Sequence, residues 1–359
     1  MRPYNVEIFT QGFEMVGNTN VNEVTYKEDY LSSDDNTVTV LALPGIKNQD
    51  YIRISRRQEE YAGIITAIAY GTDQSKKLQV ISYKPLMEIL NTDILFDVNA
   101  QGQGTMEEFI CRHITEMFIN NADKKQNIRG LSVTASTKTA GWGLHITPSE
   151  KGGHYNIVNL IDSVIIPAME KYSILVRTKL DIQNRAVHME VGRASAGIIT
   201  IESDLPNIIK KSVTIKQVSA DVNKLVLFDA KDYSRTRTYY LHPDLGYDTK
   251  NKDRIVPVVC EMQAVSCDEG GSFESAAMEA AYNKFANLSY SNLIELTMMN
   301  GDTLVRPDEM EFGQVVYIIS DGVCYESILT GRERGKNTKL VFGTVRLDLT
   351  KILRRQENG

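Results

Sequence analysis

The first ninety residues alternate apolar and polar positions in short runs. YNVEIFT (4–10), NEVTYKEDYL (22–31), NTVTVLALP (36–44), DYIRISRR (50–57), YAGIITAIAYG (61–71) and KLQVISYK (77–84) are rich in β-branched and aromatic residues and are parted by Asn, Asp, Gly and Lys clusters. A period of two with such punctuation predicts strands, and their spacing predicts a compact antiparallel barrel or sandwich. Past Pro85 the period changes. Thr105 and Glu108 form a capping box ahead of a helical face made by Phe109, Ile110, Ile114, Met117 and Phe118. A second helix is predicted through NLIDSVIIPAMEKY (159–172), with Leu160, Ile161, Val164, Ile165, Ala168, Met169 and Tyr172 on one stripe and Pro167 bending it by removing a backbone donor.

SILVRTKLDIQNRAVHMEV (173–191) predicts a hairpin turning near Gln183–Asn184, and AGIITIES (196–203) a further strand. SVTIKQVS (212–219), NKLVLFDA (223–230) and TRTYYLH (236–242) follow as strands. An Ala-rich helix, SFESAAMEAAYNKFANL (272–288), begins at a Ser272 cap, and the tail returns to β before closing with TKILRR (350–355). The expected fold class is α+β, mainly β: two similar antiparallel β-barrel-like domains at the chain ends with α+β domains inserted between them. The expected boundaries are 1–92 for the first β domain, 93–192 for an α+β insertion, 193–285 for a second α+β linking domain and 286–359 for the second β domain, with strands supplied to the last from 213–240.

The two ends repeat each other. At a constant offset of 264, Tyr61 matches Tyr325, Ile64 matches Ile328, Thr66 matches Thr330 and Gly71 matches Gly335. A hairpin loop two residues shorter then sets Lys77 and Leu78 on Lys339 and Leu340, and a further one-residue shift sets Ile89 and Leu90 on Ile352 and Leu353. Any two hairpins share such residues, because strands and turns draw on few types. Position argues for duplication, since the copies stand at opposite ends with unlike material between them.

Length and charge narrow the classes. A chain of 359 residues exceeds what one core usually serves, so two to four domains are expected. The net charge of −6 argues against a sequence-specific nucleic-acid binder, whose affinity comes from clustered Lys and Arg. No apolar run approaches the ~18 residues of a membrane span, and the N-terminus does not read as a leader, which points to the cytosol. Cys111, Cys260, Cys267 and Cys324 form no CxxC pair and are expected as reduced, packed thiols.

These features together resemble one family. The paired segments 51–90 and 315–353, the middle stretch NKLVLFDAKDYSRTRTYYLHPDLGYDTKNKDRIVPV (223–258) and the Ala-rich helix leading into NLIELTMMNGDTLVRPDEMEFGQVVYIIS (292–320) resemble the baseplate or tail-tip hub proteins of tailed bacteriophages and related contractile injection machines. The likeness includes the hub portion of the tail-associated lysins. It implies a homotrimer whose subunits each contribute two similar β domains to a ring, so that three chains meet a hexameric tail tube with six near-equivalent units. It also implies central domains lying off the ring around the closed end of a DNA channel. The implied partners are distal-tail or tail-tube proteins, the tape-measure protein, and fibre, spike or lysin proteins at the tip. The implied location is the virion tail, assembled in the bacterial host cytoplasm. Lys351, Arg354 and Arg355 are expected at a subunit or partner contact, with a solvated basic helix end as the competing reading.

Candidate chemistry is sparse. His113, His145, His154, His188 and His242 are scattered, with no HxH or HExxH spacing, and His113 beside the apolar helix face reads as structural. The glycines of QGQGT (101–105), at the head of the first helix, lack the Lys of a phosphate loop. Trp142, the sole tryptophan, lies between two glycines and is a possible glycan contact if exposed, with packing in a turn as the better reading. Adjacent acidic pairs such as Glu107–Glu108 do not oppose one another as a glycosidase requires. No catalytic residue, cofactor or metal is expected. Two alternatives stand beside the hub: a cell-wall hydrolase of the tail tip, which predicts a deep acidic cleft in 93–285, and a carbohydrate- or receptor-binding tail module, which predicts an exposed aromatic patch around Trp142.

Overall fold

The computed structural model describes residues 3–28, 36–56, 59–73, 76–144, 146, 153–194, 199–215, 222–242, 247–251, 258–266, 272–285 and 292–343. His145, Cys267, Lys351, Ile352, Leu353, Arg354 and Arg355 lie outside them.

The alternating N-terminal runs form Tyr4–Phe9 (β1), Met15–Val21 (β2), Tyr26–Lys27 (β3), Asn36–Leu41 (β4), Tyr51–Arg56 (β5), Glu59–Asp73 (β6) and Lys76–Pro85 (β7). Six of them make one antiparallel sheet in the order β2-β1-β5-β6-β7-β4, while β3 pairs elsewhere. Val6, Ile8, Ile52, Ile54, Ile65, Ile81 and Tyr83 point to its inner side and are fully enclosed. Each such side chain contributes about 1.5–3 kcal/mol of transfer free energy, which stabilises the sheet through its enclosed face.

The insertion follows. Asp93–Asp97 (β8) pairs antiparallel with Tyr155–Asn159 (β10). Leu131–Ala135 (β9), Ile174–Asp181 (β11) and Ala186–Arg193 (β12) form a sheet in the order β11-β12-β9, with β12 and β9 parallel. The β11–β12 turn falls at 182–185, where Asp181 accepts from the Asn184 backbone and side-chain amides at 3.0 and 2.8 Å. The first helix, Met106–Phe118 (α1), carries both halves of the Thr105–Glu108 capping box. At Pro167 the expected bend becomes a change of pitch: a π-helical turn at Leu160–Ile165 runs into Ile166–Tyr172 (α2), whose first turn holds the proline where its missing N–H costs little.

Ile199–Glu202 (β13), Ile208–Ile215 (β14), Asn292–Met299 (β19), Val315–Ser320 (β20), Val323–Arg334 (β21) and Asn337–Gly343 (β22) build the second large sheet, ordered β13-β20-β21-β22-β19-β14, with β3 added on β21. Asp321 and Gly322 both take positive φ between β20 and β21, the two-residue turn whose twist suits a tight hairpin. Lys224–Asp229 (β15), Thr236–Leu241 (β16), Tyr247–Asp248 (β17) and Cys260–Val265 (β18) pair in the order β17-β16-β15-β18. They pack on Phe273–Phe285 (α3) through Leu225, Leu227, Leu241, Phe273, Ala277, Ala281 and Phe285. The last four recur every fourth residue and so share one helix stripe. This second group lies in a separate compact unit, Val213–Leu293, while residues 1–212 and 294–359 form the other.

Two expectations need correction here. The strands supplied to the second β domain come from Ile199–Glu202 and Ile208–Ile215, so only the last three residues of β14 fall in 213–240, and β15 and β16 belong to the separate unit. Moreover Cys260 and Cys324 are exposed rather than packed, whereas Cys111 is half-buried and its thiol is pushed up to about 11 by burial. No helix among the described residues is long and apolar enough to cross a membrane.

Candidate assembly module

The duplication is a matter of hydrogen-bonding register. In the first sheet Tyr61 stands opposite Ile54 and Ile64 opposite Tyr51; in the second Tyr325 stands opposite Ile318 and Ile328 opposite Val315. All four pairs keep the offset of 264. Both long strands then carry a bulge at the same step, between Ile65 and Ala67 in β6 and between Leu329 and Gly331 in β21, so Thr66 and Thr330 are the bulged residues. A bulge re-aims a strand and raises its twist, so a shared position gives both sheets the same local curl.

Beyond the bulge the register revises the sequence match. Ile65 faces Tyr83 as Leu329 faces Phe342, and Ile68 faces Ile81 as Arg332 faces Leu340. The returning strand therefore runs at an offset of 259, and Lys339 and Leu340 occupy the rungs of Val80 and Ile81, not of Lys77 and Leu78. The hairpin loop differs by five residues rather than two, because β6 and β7 extend by three further rungs, Gly71–Leu78 to Asp73–Lys76.

Most of the repeated residues point inward. Tyr61, Ile64, Ile328 and Thr330 are buried, Thr66 and Tyr325 are half-buried, and Gly71 is exposed. Gly335 is buried, and a Cβ there would stand 2.9 Å from Thr25 Oγ1. The buried members hold each barrel together instead of forming a surface. Tyr61 does so through Asn36, which donates to the Tyr61 hydroxyl at 3.2 Å, accepts from Lys27 N–H at 2.7 Å and donates to the Lys27 carbonyl at 3.0 Å. That side chain clamps β3 from one side.

On its other side β3 lies on the second barrel. Lys27 stands opposite Glu333 and Tyr26 opposite Arg334, and Glu28 N–H donates to the Arg332 carbonyl at 2.6 Å. An ionic seam follows. Glu28 Oε1 accepts from Arg334 Nε at 2.9 Å, Glu28 Oε2 lies 3.2 Å from Arg332 Nη1, and Asp308 Oδ1 lies 2.5 Å from Arg334 Nη1. Arg332 also donates to the Met310 carbonyl at 2.6 Å and stacks over Phe312. Both guanidinium groups are buried. Burial holds Arg332 below its ordinary value, while for Arg334 burial is more than offset by Glu28 and Asp308, which hold it above.

The insertion is seated against the second barrel at one close approach. Gly313 has φ +71°, and a Cβ there would stand 2.6 Å from Leu175 Cδ2 and 3.0 Å from Met169 Cγ. Arg177 ties the same place by pairing with Glu311 and Glu190, each at 3.1 Å.

Within the insertion Trp142 is buried, with its ring 4.7 Å from Phe109, which in turn stacks with Phe96 at 5.2 Å and His113 at 4.6 Å. The proposed glycan contact is thereby overturned: a ring packed on α1 presents no face to a sugar. Burial, with Arg112 adding to it, pushes the His113 imidazole down to about 4, so the ring is neutral and structural.

Glu107 was passed over in the sequence as part of an acidic pair. Its carboxylate is fully buried and accepts from Thr137 Oγ1 at 2.6 Å, Thr139 N–H at 2.7 Å and Thr139 Oγ1 at 2.8 Å. Burial would raise it, but these bonds outweigh burial and hold it below its ordinary value of 4.5. A carboxyl depressed in the folded state stabilises above its unfolded value and loses that contribution as pH falls through the folded one. Chemical denaturation from pH 7 down to pH 3 is expected to show the wild type losing stability below about pH 4.5 more steeply than Glu107→Gln, itself weaker at pH 7 by about 1.5–3 kcal/mol. Equal slopes for the two would contradict this role. Among the described residues, no group of three or more His, Cys, Asp or Glu gathers as a metal site.

Neither a family model nor a curated protein sequence matches this chain. Solved structures do. A 43 kDa tail protein of prophage MuSo2 from Shewanella oneidensis superposes with a TM-score of 0.56 at 12% identity, covering 95% of this chain and 98% of that one. The tail protein from Neisseria meningitidis MC58 superposes at 0.53 with 14% identity, covering 95% and 96%. A chain of the phage P2 baseplate in its activated conformation superposes at 0.50 with 14% identity, covering 95% and 98%. Such coverage includes both barrels and the material between them. With its β-rich α+β architecture and paired half-barrel sheets, the chain has the fold of phage tail and baseplate proteins.

Proposed function

We propose that this chain is the structural hub of a phage or phage-like tail tip, a homotrimer that adapts a hexameric tail tube or distal tail ring to threefold tip components and lines or closes the DNA channel. The observation that carries it is the duplicated register, with the bulge at Thr66 repeated at Thr330. A closed ring needs repeated interfaces, and two like barrels in each of three subunits supply six. The buried seam at Glu28 supports the reading, because it binds the two barrels as neighbouring stations of one ring. The role is non-enzymatic, in the virion tail, with distal-tail or tube proteins and the tape-measure protein above and fibre, spike or lysin proteins below. The glycan-binding alternative has lost its one observation with the burial of Trp142.

Light scattering on the full chain, alone and with its neighbouring tail-ring protein, tests the proposal. The expected mass is three times the 40.3 kDa of one chain. A chain that stays at the mass of one copy in both conditions would sink it.

A further inference from the structure

We propose that the outer edge of β6 between its bulge and its hairpin tip, Ala67–Tyr70, is a strand slot filled by a second copy of this chain. The inference rests on the hub reading and names one of its contacts.

The two long strands differ in what lies on that edge. β5 pairs with β6 only as far as Ile64, and Gln49 and Asp50 extend the pairing to Ile65. Past the bulge, among the described residues, β6 pairs with β7 alone. The same stretch of β21, by contrast, carries β3 on its outer edge. At the offset of 264, Arg332 corresponds to Ile68, Glu333 to Ala69 and Arg334 to Tyr70. The Arg332 carbonyl accepts from Glu28 N–H, so equal register turns the backbone groups of Ile68 and Tyr70 toward the open side. The burial contrast is large: Arg334 is 7% exposed and Tyr70 is 73% exposed.

An unpaired edge is a template for another strand, and soluble proteins usually guard it with charge. This one is unguarded. Ala67, Ala69 and Tyr70 carry no charge, and on the adjoining outer face neither do Thr37, Thr39 and Leu41, the last 56% exposed. The occupant is a second copy because the chain already shows what fills the equivalent slot: a short strand from the neighbouring repeat. The first repeat gives β3 to the second barrel of its own chain. The next station of a head-to-tail ring is the first barrel of the following copy, and that arrangement closes without loose ends. The chemistry also separates the two slots, since Arg332 and Arg334 take the acidic Glu28 whereas Ile68 and Tyr70 suit an uncharged strand.

The test uses the full chain with a benzophenone amino acid in place of Tyr70, and separately Tyr70→Asp. Irradiation is expected to give a covalent product of two chains, and Tyr70→Asp to weaken self-association at least tenfold by light scattering with an unchanged circular dichroism spectrum. Cross-links only within one chain, or only to an added tail-ring protein, would overturn the slot, as would a Tyr70→Asp chain that assembles like wild type. A wild-type trimer with no cross-link at Tyr70 removes the slot and leaves the hub. A wild type that never self-associates removes both.

Discussion

Glu28→Ala is expected to lower the stability of the barrel-bearing unit by about 3–5 kcal/mol, read as a fall in denaturant midpoint at constant slope. The size follows from what the substitution leaves behind. Arg332 and Arg334 have side chains only 9% and 8% exposed, and Glu28 contacts both, at 3.2 and 2.9 Å. Without it two like charges stay side by side in a desolvated place, and among the described residues the half-exposed Asp308 is the carboxylate left paired with Arg334. Removing one member of a buried ion group costs far more than removing the group, so Glu28→Leu combined with Arg332→Met and Arg334→Met is expected to recover most of the loss. The seam joins residues 306 apart, so ordering that long loop makes it a late contact in folding. Glu28→Ala should therefore speed unfolding more than it slows refolding. A loss below about 1 kcal/mol would mean that the guanidinium groups are hydrated, contrary to the buried geometry.

The seam also marks where reading the sequence stops. Alternation revealed the strands one by one, because a sheet with one enclosed face writes its period locally. The α1 cap was legible for the same reason, as Thr105 and Glu108 are three residues apart. The repeat was legible up to the bulge, where Tyr61, Ile64 and Thr66 keep one register with Tyr325, Ile328 and Thr330. Past it, hairpin length changed, and the Lys-Leu pair at 77–78 matched 339–340 by identity while the ladder set Val80 and Ile81 there. Partners distant in sequence left no local trace: β13 and β14 joining the second sheet, β3 crossing to β21, and Glu107 answering Thr137 and Thr139. For Trp142 the sequence left two readings open, and packing in a turn, the better of them, is the one the buried ring fits. The flanking glycines fit either reading, since Gly141 takes φ +67° in the turn beside the buried ring.

Trp142→Ala is expected to cost about 3–5 kcal/mol, the range for deleting a large enclosed aromatic. The ring is 2% exposed and fills the space beside Phe109, so its loss opens a cavity against α1. The backbone around it limits collapse into that space. Gly143 N–H donates to the Tyr172 hydroxyl at 2.8 Å, Lys171 Nζ donates to the Gly143 carbonyl at 3.0 Å, and Leu144 N–H donates to Gln101 Oε1 at 2.7 Å. Trp142→Phe should cost much less than the alanine change. Among the described residues the indole N–H has no hydrogen-bond partner, so phenylalanine removes an unsatisfied buried donor along with some packing. As the sole tryptophan it reports on itself: native emission should be blue-shifted, weakly quenched by acrylamide and indifferent to added glycans, shifting red only on unfolding. Strong quenching in the native state, or a glycan-dependent spectrum, would place the ring at the surface and return the carbohydrate reading to contention. An alanine variant within 1 kcal/mol of wild type would instead mean that the loop closes over the gap despite its three anchoring bonds.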